Sequence, residues 1–153
     1  REGVEAAFSY NPLKGLNLSV AYTYSDFRFK EFSDGSGGTY YGNRIPGIPK
    51  YWTYTELTYF DPSGFHVAWN TQFVESVYVD NANSDAAEQY AVSNFRLGHL
   101  ANFENFDISF FFGINNIFNK EYIGAVRVNE ANGRFFEPAP DRNVYTGLTL
   151  RYN

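Results

Sequence analysis

The chain contains 153 residues, carries a formal net charge of −5 and has no cysteine. Its length suits a single domain, the missing thiols exclude disulfides and cysteine chemistry, and an acidic balance without a long basic run argues against a nucleic-acid partner. Aromatic residues make up 20% of the chain, yet no run of about 20 apolar residues exists to form a membrane-spanning helix.

Apolar and polar residues alternate from the beginning of the chain, which is the pattern of a half-buried strand. A first strand is predicted over about Val4–Tyr10, followed by a tight turn at Asn11–Gly15. A second strand begins at Leu16 and is predicted to continue to about Phe32. The segment Ser33–Lys50 is predicted to be a long loop with glycines at its tip.

The middle of the chain repeats this arrangement. A third strand is predicted over Tyr51–Phe60, and the Asp, Pro and Gly of Asp61–Gly64 stand where a type I turn favours them. A fourth strand begins at Phe65, and a polar loop is predicted over Asn81–Glu88. A fifth strand is predicted over about Tyr90–His99.

Two further strands complete the series. A short connection at Asn102–Asn105 leads to a sixth strand whose apolar residues recur at every second position from Phe106 to Ile114. A second long loop is predicted over about Lys120–Asp141. The seventh strand follows, with its apolar face running from Val144 to Tyr152.

The connections alternate in length, because those after the first, third and fifth strands are tight and those after the second, fourth and sixth are longer. Short turns at one end and long loops at the other are typical of transmembrane β-barrels, and strands of about ten residues cross the hydrocarbon when tilted. The sequence therefore predicts an all-β, antiparallel, up-and-down meander of about seven strands. The alternative from the pattern alone is a soluble meander or β-sandwich with one buried face.

The alternation also assigns the two faces of the barrel wall. Predicted to face lipid are Leu18, Val20, Trp69, Phe73, Phe110, Phe112, Leu148 and Leu150, and predicted to face the lumen are Asn17, Ser19, Asn70, Gln72, Asp107, Ser109 and Thr149.

Four segments resemble the C-terminal end of TonB-dependent outer-membrane receptors. Asn11–Leu16 is similar to a periplasmic turn of these barrels, and Gly42–Lys50 is similar to a loop that returns into a strand. Asn115–Tyr122 closely resembles the family signature NNLFDKxY. Arg134–Arg142 resembles the segment GRYFEPAPGR, found mostly in ferric-siderophore receptors, although Asp141 replaces its usual Gly.

This resemblance implies a multi-pass β-barrel in the outer membrane of a Gram-negative bacterium. Residues 1–153 would form the last third of a 22-stranded barrel, in contact with outer-membrane lipid, with the plug domain and the TonB box in a preceding region. The implied partners are a ferric siderophore or similar small ligand and, through that region, TonB–ExbB–ExbD. The family's barrels end in an aromatic residue, so we expect one more residue, a Phe, after Asn153, unless Tyr152 already fills that role.

Candidate ligand contacts lie in the predicted long loops: Tyr40, Tyr41, Arg44, Arg127, Arg134 and Arg142. Arginine binds carboxylates in a bidentate way, which suits an anionic ferric complex, but an arginine at a loop base more often pairs with a neighbouring acid. No catalytic constellation or cofactor motif is found, and His66 and His99 lack a carboxylate at ligand spacing. The function hypotheses left open are a TonB-dependent receptor, a passive porin-like channel, an outer-membrane enzyme and a soluble carbohydrate-binding β-sandwich.

Overall fold

The computed structural model describes residues 1–153, which form thirteen β-strands and no helix. Seven strands have ten or more residues and six have only two to four. In chain order they are β1 (Glu2–Leu13), β2 (Leu16–Asp26), β3 (Phe32–Ser33), β4 (Thr39–Tyr40), β5 (Tyr51–Phe60), β6 (Phe65–Val74), β7 (Val77–Tyr78), β8 (Ala86–Ala87), β9 (Tyr90–Asn102), β10 (Phe106–Asn115), β11 (Ile123–Val126), β12 (Phe136–Pro138) and β13 (Asn143–Tyr152). No helix is present that is long and apolar enough to cross a membrane.

The seven long strands form one sheet in the order β1-β2-β5-β6-β9-β10-β13, and every neighbouring pair is antiparallel. This confirms the predicted up-and-down meander. The tight turns lie at one end of the sheet, which we call the periplasmic end. Three longer connections lie at the other: the first loop (27–50), the second loop (75–89) and the third loop (116–142).

Three predicted boundaries were wrong. The fifth strand ends at Asn102 rather than near His99. The first strand continues through Pro12 to Leu13 with a register shift, so the turn shrinks to two residues, of which Gly15 has φ +80°. The second strand ends at Asp26 rather than near Phe32, because the backbone beyond it pairs with the returning end of its own loop. There the N–H of Ile45 donates to the carbonyl of Phe27 at 2.8 Å.

The loops contain three short hairpins that the sequence did not predict: β3 with β4, β7 with β8, and β11 with β12. Each has too few residues to show a strand periodicity. The hairpins form three separate two-stranded sheets at the extracellular end, so the loops are folded structures with defined contacts.

The register joins apolar residues across the whole sheet. One row of cross-strand partners contains Tyr10, Leu18, Leu57, Trp69, Phe95, Ile114 and Val144. Apolar side chains on this face are largely exposed; Leu148, for example, is 72% exposed. Only 11 of the 153 residues are buried, so no second layer packs against the sheet, and a β-sandwich, which needs one, does not fit.

The opposite face is polar. Ser19, Glu56, Asn70 and Asn94 form one row of partners, and the side-chain amide of Asn94 donates to Asn70 Oδ1 at 2.8 Å. One face therefore suits hydrocarbon and the other a polar lumen, as in a membrane barrel wall.

Glycines on the lumen face lie beneath aromatic rings of neighbouring strands. A Cβ at Gly113 would lie 2.2 Å from the ring of Tyr145, and one at Gly147 would lie 2.4 Å from the ring of Phe111. The missing side chains let the rings lie flat against the backbone, which covers an otherwise bare stretch of strand. The guanidinium of Arg96 lies 4.4 Å from the centre of the Phe111 ring.

The rows of partners cross the sheet obliquely, which shows that the strands are tilted. Tyr10 lies three residues before the end of β1, whereas its counterpart Val144 lies eight residues before the end of β13. At the extracellular end the displacement is seven residues, since Tyr10 follows Glu2 by eight positions and Val144 follows Asn143 by one. The row is thus displaced by five residues at the periplasmic end and by seven at the extracellular end, over the six steps between neighbouring strands. At about 3.3 Å per residue and about 4.8 Å per step, these displacements correspond to a tilt of about 30–40°, close to that of transmembrane barrels.

Candidate functional site

Asparagine side chains join the three loops at the extracellular end of the sheet. Asn81 of the second loop is held by the other two: Asn43 Nδ2 donates to its carbonyl at 2.9 Å, and its own N–H donates to Asn129 Oδ1 at 3.0 Å. Asn129 Nδ2 donates in return to Asn81 Oδ1 at 3.1 Å. Because Asn81 and Asn129 exchange both bonds, the second and third loops are fixed in register.

A second reciprocal pair joins the first loop to the second. The N–H of Arg44 donates to Asn83 Oδ1 at 2.7 Å, and Asn83 Nδ2 donates back to the carbonyl of Arg44 at 2.9 Å. Asn83 has φ +58° and Asn129 has φ +56°, a conformation that asparagine tolerates better than other side-chain-bearing residues. Val79, which is fully buried, lies at the centre of this junction, and its carbonyl accepts from the N–H of Asn129.

The largest cavity, which we call the first cavity, lies among the three loops and has a volume of about 750 Å³. Phe32, Tyr40 and Phe135 supply aromatic walls, and Asp34, Asp80 and Asp85 line it with carboxylates. No lysine or arginine lines it.

Hydrogen bonds from nearby donors keep two of these carboxylates ionised. The hydroxyl and N–H of Ser36, together with the hydroxyl of Tyr40, lower the pKa of Asp34 to about 2. Partial burial opposes ionisation of Asp80, but the N–H and hydroxyl of Ser84 still lower its pKa below the usual value. The first cavity is therefore negatively charged at neutral pH.

A second cavity of about 570 Å³ lies between the second and third loops. Its apolar wall includes Tyr122, Ile123, Phe136 and Pro138, and its charged residues are Glu88, Lys120, Glu121 and Asp141. A smaller cavity of about 250 Å³ adjoins it, because both are lined by Ala87, Glu88 and Ile123. Glu75 lines the smaller cavity.

The third loop begins with a turn that Asn116 closes. Asn116 is 2% exposed and has φ +51°. Its side chain exchanges two bonds with the backbone of Lys120, each of 2.8 Å, and its N–H donates to Asn94 Oδ1 at 2.9 Å. Asn119 (φ +50°) then accepts from the N–H of Arg142 at 2.9 Å. The asparagines of the segment resembling NNLFDKxY thus determine where the last two long strands connect.

The six predicted ligand contacts do not converge on one point. Tyr40 lines the first cavity and donates its hydroxyl to Asp34 at 3.0 Å. Tyr41 is 81% exposed, and Arg44 is half-buried at the Asn83 junction. None of the arginines lines either of the two larger cavities.

The three arginines of the third loop differ in their partners. Arg127 Nε lies 2.6 Å from Glu137 Oε1, so this side chain pairs with a neighbouring acid. Arg142 is exposed and reaches only the carbonyl of Ile117, at 3.5 Å, and Arg134 is exposed without a hydrogen-bonding partner. The two histidines lie on opposite faces, since His66 pairs with Gly98 and His99 with Phe65.

The asparagine junctions and the carboxylates of the cavities were not among the predicted site residues. The bonds of the junctions join residues 38 to 48 positions apart, so no local sequence pattern predicts them. The sequence gives only a weak indication, which is an excess of asparagine in the loops. No cluster of three or more His, Asp or Glu side chains is arranged to hold a metal ion.

Comparison with solved structures gives the same architecture. BauA, the ferric preacinetobactin receptor from Acinetobacter baumannii, matches 98% of this chain with a TM-score of 0.77 and 18% identity. The siderophore receptor PiuA from Acinetobacter baumannii matches 97% with a TM-score of 0.77 and 23% identity. The ferric citrate transporter FecA matches 90% with a TM-score of 0.75 and 21% identity. The match covers 21% of each of those chains, so this chain spans about a fifth of their length.

A family model described as "TonB dependent receptor-like, beta-barrel" matches residues 1–117. This range runs from β1 into the Asn116 turn and includes six of the seven long strands. With its tilted sheet, its apolar outer face and its folded loops at one end, the chain belongs to the β-barrel of the TonB-dependent receptors, a family of the Gram-negative outer membrane.

Proposed function

We propose that the whole protein is a receptor that takes up an iron complex, a ferric siderophore or a similar small ligand, in a TonB-dependent manner. The observation that carries this proposal is the folded extracellular end, where open cavities of about 750 and 570 Å³ lie among the joined loops above a membrane-type wall. Such cavities suit a bound small molecule. The similar solved structures BauA, PiuA and FecA are receptors or transporters for iron complexes or siderophores, which supports the same class of cargo.

The proposal includes the architecture of the whole protein. Residues 1–153 form the C-terminal portion of a 22-stranded barrel, and a plug domain and a TonB box belong to the region before them. TonB–ExbB–ExbD is the partner that supplies energy through that region. The protein carries out transport and no covalent chemistry.

We further propose that Tyr41, Arg44, Arg134 and Arg142 contact the cargo, together with Tyr40 in the first cavity. Arg127 contributes less, because Glu137 already occupies its guanidinium. Replacing Arg134 with Gln is expected to weaken binding of an anionic ferric complex. Replacing Arg151, which lies in the lumen at the periplasmic end, is the matched control and leaves binding unchanged.

The test is uptake of radioactive iron by an iron-starved host that lacks its own receptors and expresses the full-length gene. We expect uptake of at least one ferric siderophore that disappears when tonB is deleted or the proton gradient is collapsed. A passive porin-like channel predicts uptake that persists in both conditions, together with swelling of liposomes in small sugars. Either of those results refutes the proposal.

A further inference from the structure

The most deeply buried side chain of the chain lies in a loop and not in the long strands. Val79 of the second loop is fully buried, and Pro46 of the first loop and Asn81 and Ala87 of the second are buried as well. These four are among only 11 buried residues in the whole chain. Mobile loops have few buried contacts, whereas a segment with a core of its own opens as a unit. The loops of the extracellular end have such a core.

The second loop lies between the other two and is hydrogen-bonded to both. Four bonds join it to the first loop, and they run from Gly47 to Tyr78, Asn43 to Asn81, Arg44 to Asn83 and Asn83 to Arg44. Three bonds join it to the third loop, and they run from Asn129 to Val79, Asn81 to Asn129 and Asn129 to Asn81. The second loop is therefore the central piece of the assembly.

The first and third loops also touch each other directly. A Cβ at Gly47 would lie 2.9 Å from Cγ2 of Val128, so these two residues are in close contact. The N–H of Gly47 donates to the carbonyl of Tyr78 at 2.8 Å, which places this contact beside the second loop. Each loop thus contacts the other two, and none of them can move far without breaking contacts with both neighbours.

We propose that the three loops form one rigid rim that stays assembled while the receptor binds and transports its cargo. The inference rests on the proposed function. Freeing the first loop breaks four interloop hydrogen bonds, and freeing the third breaks three. Three hydrogen bonds of ordinary strength disfavour the open state by about 100-fold. Any loop movement that encloses or releases the cargo therefore takes place in other loops of the receptor.

Hydrogen–deuterium exchange of the full-length receptor in detergent tests whether the three loops are one unit. The N–H of Ile45 donates to Phe27 within the first loop, and that of Arg127 donates to Phe135 within the third, so each amide reports on its own loop. Val79→Ala removes buried methyl groups from the second loop alone. In one cooperative unit both distant amides lose protection, by about tenfold, together with those of the second loop.

The matched control is Val144→Ala, which removes the same groups from a valine that is 65% exposed on the wall and should leave both amides unchanged. Heat-modifiable migration in gels confirms that each variant folds. Asn81→Ala removes one of the interloop hydrogen bonds and carries the test if Val79→Ala does not fold. Its expected effect on the two amides has the same direction.

Crosslinking tests whether the rim stays assembled during transport. Ile48 follows Gly47 and so lies near Val128, and Val77 and Val126 line the same small cavity. Cysteines at Ile48 and Val128, or at Val77 and Val126, are joined by a short bismaleimide in a full-length receptor without other cysteines. None of the four residues lines either larger cavity. We expect iron uptake by cells to continue at the rate of the singly labelled variants Ile48→Cys and Val77→Cys.

Two results overturn the rim while the proposed function stands. Uptake that is lost in the linked proteins and kept in the singly labelled ones means that the loops part during transport. Loss of protection confined to the second loop in the folded Val79→Ala and Asn81→Ala variants means that the loops open separately. A receptor that takes up no ferric complex before any linking overturns the proposed function, and the role of the rim in transport with it.

Discussion

Replacing Asn116 with Ala tests whether the turn at the end of β10 is held by one side chain. The substitution removes two hydrogen bonds to the backbone of Lys120, each contributing about 0.5–1.5 kcal/mol. It also places a residue with a Cβ but no local hydrogen bond at φ +51°, which costs about 1–2 kcal/mol. We therefore expect local opening of the turn to become easier by about 2–5 kcal/mol.

Hydrogen–deuterium exchange of the Lys120 amide measures this directly, because that N–H donates to Asn116 Oδ1. The expected loss of protection is about 30-fold to 4,000-fold, at about 1.4 kcal/mol for each factor of ten. Asn116→Gly keeps the left-handed backbone free of strain, so its loss should be smaller than that of Ala. The control is Asn105→Ala, since this periplasmic-turn side chain makes no hydrogen bond.

Two results would refute this account of the turn. Unchanged exchange at Lys120 in Asn116→Ala would mean that the side chain does not hold the turn closed. Equal damage from Gly and Ala would mean that the positive φ of Asn116 contributes nothing, and that only its hydrogen bonds matter.

Three further predictions concern the wall and the first loop. Leu148→Arg places a charge on the lipid face and should destabilise the folded barrel by about 2–4 kcal/mol if the site lies near the bilayer midplane; Thr149→Arg, on the lumen face, should not, and urea titrations in lipid vesicles compare the two. Gly147→Ala should cost about 1–3 kcal/mol in the same titration, because its Cβ would lie 2.4 Å from the ring of Phe111, which must move; an unchanged midpoint would contradict the flat ring. Asp34 has its pKa lowered from 3.8 to about 2, so its hydrogen bonds persist above pH 4 and are lost as the pH falls towards 2; limited acid proteolysis should cut the first loop progressively over that range in the wild type, with no such dependence in Asp34→Asn.

The two-residue period of the sequence was sufficient to predict the strands that form the wall of the barrel and the face on which each side chain lies. Tyr51–Phe60 was predicted with the bounds that the structure has, and the faces of β6 and β10 were assigned correctly because each register step moves a side chain to the other face. The short and long connections could also be predicted from the sequence, since Pro, Gly and Asp mark turns through their local backbone preferences. Segments resembling TonB-dependent receptors supplied the family, which the family model confirms.

The extracellular end was decided by tertiary structure. Asn81 and Asn129 are 48 positions apart in the sequence, and Arg44 and Asn83 are 39 apart. No local sequence pattern therefore predicts the hydrogen bonds between their side chains and backbones. The arginines were the natural candidates from charge alone, yet no arginine lines the larger cavities, and most of the charged residues that do line them are carboxylates. Alternation along a strand is a property of each residue and its neighbours, whereas a cavity among loops depends on how separate segments meet, and only the folded chain specifies that.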